Sequence, residues 1–162
     1  MNKYIVNELQ KHFNRTGRML LQSILACPDE IWETASEGYP LWKHAYHAAY
    51  WLDVWMSESL DRFEKPEGFY TRSFELDNAS AKVFTKNQVA DYCSTVLKKC
   101  EMFFEKLQDE DLDERKPFFD KNPTVFERIM GQIRHVSYHT GYMDCILKKN
   151  TGKIPDWIGN AG

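Results

Sequence analysis

The sequence predicts an all-α protein: a four-helix bundle of up-down-down-up connectivity, with a long crossover between its second and third helices. Three observations predict it. Apolar residues recur at helical spacing in four long stretches, Pro, Gly and Asn punctuate the breaks between them, and the connection over residues 61–85 is much longer than the others. Short connections join antiparallel neighbours, whereas a long one can return the chain to the same end of the bundle. A length of 162 residues, 43% of them hydrophobic and 14% aromatic, fits one domain spanning 1–162 with a core that needs no disulfide staple.

The first helix is expected from about Lys3 to Ala26, with Ile5, Leu9, Phe13, Leu20 and Ile24 on one face and Gly17 as a weak point. Pro28 stops it and starts a single turn through Ile31 and Trp32. Pro40 is expected in the first turn of the second helix, which runs to about Leu60. That helix is apolar nearly all round, as a central helix or one lining a cavity would be. The crossover carries Pro66, Gly68, Asp77, Asn78 and the aromatic cluster Phe69, Tyr70 and Phe74. Thr85 can cap the third helix, which runs to about Leu107. Residues 109–116 read as a solvated charged loop. Asn122-Pro123-Thr124 supplies a cap and a first-turn proline for the fourth helix, which runs to about Lys149 and stops near Gly152. Ile154, Trp157 and Ile158 can then pack back from the tail.

Composition excludes several classes. Asp and Glu (24) outnumber Lys and Arg (21), so no general attraction for nucleic acid is expected. No apolar run approaches the roughly 18 residues of a membrane span, and no signal peptide is expected. Cys27, Cys93, Cys100 and Cys145 lack CxxC spacing and read as reduced thiols, which together with the missing leader suggests a cytoplasmic protein.

Four of the five histidines fall in two places, His44 and His47 on the second helix and His135 and His139 on the fourth. Imidazole is the commonest transition-metal ligand, and residues four apart share one helix face, so His135 and His139 can point at one ion. On the wheel Ile129, Ile133, Val136, Thr140, Met143 and Leu147 form the core stripe, with the two histidines flanking it. Arg134, Ser137, Gly141, Asp144 and Lys148 take the opposite arc. A catalytic site needs a third protein ligand, and either His44 or His47 can supply it, because periodicity does not orient a helix that is apolar all round. No Glu follows His135 as HExxH chemistry requires, ExxH pairs of di-iron bundles are missing, and no GxSxG elbow is present. Three imidazoles suit one mid-series divalent ion such as Zn or Ni, with an affinity expected to fall as pH drops through about 6.5. Trp42, Tyr46, Tyr50, Trp51 and Tyr138 can line a pocket, although aromatic residues at this spacing more often form core.

The combination of His47 in HAAYWLDVW with His135 and His139 in RHVSYHTGY resembles the DinB-like superfamily, which includes YfiT-type proteins and low-molecular-weight thiol S-transferases. The resemblance extends over nearly the whole chain in helix order and loop length. It implies a metal triad at His47, His135 and His139, with His44 as a neighbouring group or alternative ligand, and a homodimer. It also implies a metal-dependent enzyme acting on a small molecule, using a thiol such as bacillithiol, mycothiol or glutathione. The same site could instead serve a hydrolase, and a non-catalytic ligand-binding or stress-response bundle is a further reading.

Overall fold

A computed structural model describes residues 2–35, 38–66, 72, 74–77 and 82–159. Its helices are α1 (Tyr4–Ala26), α2 (Asp29–Trp32), α3 (Leu41–Trp55), α4 (Lys86–Lys106) and α5 (Val125–Thr151), with 3₁₀ turns at Leu60–Arg62 and Asp109–Asp113. No sheet is present among the described residues; Arg115 with Thr124 and Phe118 with Lys121 make only isolated bridges. The four long helices are the four the sequence predicts, with α3, α4 and α5 as the second, third and fourth.

Their packing establishes the connectivity. Helices α1 and α3 each lie against both α4 and α5, so α1 faces α3 across the diagonal. Phe13 meets Phe104 and Gly17 meets Leu97, so α1 and α4 run antiparallel. Ser23 Oγ donates to Asp144 Oδ1 at 2.6 Å, and Phe13 and Gly17 lie near Gln132 and Val136, so α1 and α5 run parallel. Tyr46 contacts Tyr92 and Asp53 pairs with Lys99, which makes α3 parallel to α4. The bundle is up-down-down-up. Asp144, expected on the solvent arc of α5, instead reaches α1, because α5 is flanked by α1 as well as α3.

Several boundaries differ from expectation. Helix α3 ends at Trp55 rather than near Leu60, and Pro40 is its N-cap rather than a first-turn residue. Thr124 caps α5 in a reciprocal box with Glu127, which leaves Pro123 outside the helix. Thr85 does the same for α4 with Gln88. The segment 109–116 is more than a solvated loop. Leu112 is buried, the Val6 amide donates to Asp109 Oδ1 at 2.9 Å, and the Asp109 amide donates to the Asn2 carbonyl at 3.0 Å. Helix α1 has no side-chain cap at its own N-cap Lys3, so Asp109 serves orphan donors there from across the fold. Gly17, the weak point of α1, sits where Leu97 of α4 presses against the backbone. Ile154 and Trp157 remain exposed instead of packing back. Of the crossover's expected features, Gly68, Phe69, Tyr70 and Asn78 lie outside the described residues. Phe74 stacks on Tyr50 with ring centroids 4.2 Å apart.

Candidate metal centre

Helix α3 is buried along almost its whole length, including Lys43, His44 and Asp53. Only His47, Trp51 and Trp55 are partly exposed, and their spacing of four places them on one face. That face looks towards α5, which presents His135 and His139 one turn apart. The antiparallel approach of α3 and α5 brings His47 beside His135 and His44 beside His139.

Three of the four expected residues form the cluster. One ring nitrogen from each of His47, His135 and His139 lies within 4.8 Å of the others, a group able to hold a metal ion. His44 stands outside it. His44 Nδ1 lies 3.0 Å from His139 Nδ1, and its ring stacks on Tyr142 with centroids 4.1 Å apart. The choice between His44 and His47 that the helical wheel leaves open is therefore decided by how α3 is rotated.

Hydrogen bonding constrains the tautomers. His47 Nδ1 faces the Phe74 carbonyl, which can only accept, so Nδ1 carries the proton and Nε2 keeps its lone pair. That Nε2 lies 3.1 Å from His135 Nε2. When His139 Nδ1–H donates to His44 Nδ1, the His139 Nε2 lone pair is likewise left for an ion, the ring-orienting arrangement seen around metal-bound imidazoles. His135 Nδ1 and His44 Nε2 are buried without a partner among the described residues. Such orphaned atoms are rare in finished cores.

Burial also sets the charge state. Loss of solvent, followed by repulsion from His47, lowers His135 and His44 to about 4. His139, desolvated and surrounded by His47, His135 and His44, falls to about 3. His47 is lowered by burial too, opposed by its bond to Phe74. The imidazoles are thus neutral at pH 7, as ligands must be. The group offers three neutral nitrogen donors, with no carboxylate or cysteine among them.

The cluster opens onto a cleft of about 790 Å³ lined by His47, His135, Trp51, Trp55, Phe126 and residues of the 115–123 loop. Trp42, Tyr46 and Tyr50 are core residues, Trp51 lines the cleft, and Tyr138 points to solvent. Cys27, Cys93 and Cys100 are buried thiols; burial pushes Cys93 up to about 12 and Cys27 to about 11, so neither offers a thiolate. Two cleft residues escape a search for histidines, Arg128 and Gln132. The signal is their spacing, since 128, 132, 135 and 139 follow one helical stripe.

Comparison with models of known protein families gives no match, and none of the curated proteins matches the chain. No helix of the described residues is long and apolar enough to cross a membrane.

Proposed function

We propose that the chain is a metal-dependent enzyme of the DinB-like type, with His47, His135 and His139 as ligands and a small-molecule thiol transfer as its reaction. The observation that carries this reading is the convergence of three neutral imidazoles, His139 buried and His47 and His135 half-buried at the wall of a cleft. A divalent ion there would favour deprotonation of a coordinated thiol such as bacillithiol near pH 7. His44 acts as a positioning residue, accepting from His139 Nδ1–H. The Phe74 carbonyl holds His47 in the tautomer that directs Nε2 inward. Trp51 and Trp55 exclude water from one wall of the cleft. The resemblance adds a cytoplasmic homodimer, which light scattering of the purified chain tests.

Elemental analysis of protein made without a histidine tag decides the metal. Near-stoichiometric Zn or Ni, lost in both His47→Ala and His139→Ala, is the expected result. Failure to bind either ion at micromolar concentration would falsify the metalloenzyme reading. The reaction is tested by mixing bacillithiol, mycothiol or glutathione with a generic electrophile; a rate that the protein leaves unchanged for all three removes thiol transfer.

A further inference from the structure

The stripe on α5 that carries His139 and His135 continues through Gln132 to Arg128, and both added residues line the same cleft. Arg128 is 3% exposed and Gln132 6%, yet Arg128 Nη1 and Gln132 Oε1 have no hydrogen-bond partner among the described residues. A buried guanidinium ordinarily pairs with a carboxylate, because an uncompensated charge is expensive to desolvate. Among the described residues no carboxylate forms an ion pair with Arg128. Its Nε donates to the Trp55 carbonyl at 3.0 Å and its Nη2 to the Ser57 carbonyl at 2.6 Å, and its guanidinium carbon lies 4.2 Å from the centroid of the Phe118 ring. Those contacts close the C-terminal end of α3 and fix the side chain. Among the described residues they leave Nη1 unused.

The surroundings carry the same sign. Arg115, Lys121 and Arg134 line this cleft together with Arg128, against Glu127 alone, although the whole chain has a formal charge of -3. Arg128 also borders a second cleft, on the α4 side, where Arg62, Lys99, Lys106 and Lys116 stand with Asp53, Glu58, Glu64, Asp111 and Glu114. The surplus of positive charge therefore lies on the histidine-cleft side of Arg128. Arg128 and His135 stand seven positions apart on the helix, about 10 Å along the axis. The wall spanning that interval is Trp51 and Trp55.

We infer that Arg128 and Gln132 form a carboxylate-recognition subsite, and that the natural ligand is an elongated acid whose carboxylate sits there while its other end reaches the histidines. Arg128 Nη1 donates to one carboxylate oxygen. The Gln132 amide, turned about its last bond to present its NH₂, donates to the other. Between the acid and the reacting end the indoles favour an apolar or aromatic segment. The far end of this assignment rests on the metal-centre reading; the carboxylate subsite does not.

The test uses the full chain in two states. With metal-free protein, calorimetric titration of octanoate is compared with octanamide, its neutral counterpart. Octanoate is expected to bind about tenfold more tightly, a preference that weakens with added salt and disappears in both Arg128→Gln and Gln132→Leu. Gln132→Leu keeps the result decisive where Arg128→Gln disturbs the end of α3. Equal binding of octanoate and octanamide, or an undiminished preference in Gln132→Leu, overturns the subsite. With cobalt-loaded protein, ω-mercaptooctanoate and ω-mercaptooctanamide are compared through sulfur-to-cobalt charge-transfer absorption. Octanoate preference without any such band upholds the subsite and removes the metal-thiol reading. A band of equal affinity for the two thiols, with no octanoate preference, does the reverse.

Discussion

The two seams that α3 makes with its neighbours treat polar groups in opposite ways. Against α4, the buried carboxylate of Asp53 accepts from the Tyr92 hydroxyl at 3.0 Å and pairs with Lys99 at 3.0 Å, at the edge of the second cleft. Against α5, His44, His135, Gln132 and Arg128 each keep a buried polar atom without a partner among the described residues. A satisfied seam stabilises and specifies the bundle, whereas unsatisfied valence beside an open cleft is what a ligand or ion can fill. The proposed binding chemistry lies along the seam that keeps these polar atoms open.

This contrast is open to direct tests. The largest effect is expected on the α5 side, where His47→Ala or His139→Ala should lower metal affinity by more than about a hundredfold, beyond the usual effect of an outer partner. Competition titration against a chromophoric chelator measures it, and a wild-type affinity in either variant would detach the cluster from metal binding. On the α4 side, Asp53→Ala should cost about 2–3 kcal/mol in urea unfolding, since it removes a buried carboxylate that accepts from the Tyr92 hydroxyl and pairs with Lys99. The folded fraction should keep its metal affinity. Loss of metal from folded Asp53→Ala would show that the two seams are not independent.

His44→Ala should come next, weakening metal about tenfold by freeing the His139 ring while leaving one ion bound at saturation. Gly17→Ala, on the α1–α4 seam away from both, should cost about 1 kcal/mol as Leu97 yields to the added methyl. Thermal unfolding with and without metal separates these two variants, because only His44→Ala should alter the metal-induced rise in Tm.

The smallest change is expected with pH. Because burial lowers His135 to about 4 and His139 to about 3, metal affinity should vary by less than about tenfold between pH 7 and pH 5. The fall through about 6.5 expected from unperturbed imidazoles is displaced downward, and a steep loss near pH 6.5 would mean the rings are solvated. For the metal-free chain, the unfolded state binds protons first between about 6.5 and 4. Stability should therefore decline as pH falls across that window.

Much of the fold is local and was readable for that reason. Helix periods, the Thr85 cap and the pairing of His135 with His139 depend on residues within a turn of one another. The end of α3 was not readable, because Arg128, distant in sequence, takes the Trp55 and Ser57 carbonyls. Nor was the role of Asp109, which serves α1 from across the fold.

The site divides along the same line. Sequence alone determined that two imidazoles share a face of α5, since helical spacing requires nothing else. Only tertiary structure decided that His47 joins them, that His44 lies behind His139, and that Arg128 and Gln132 extend the stripe into a cleft. An apolar helix such as α3 has no preferred rotation of its own; packing against α4 and α5 supplies it, and with it which histidine completes the three-imidazole cluster.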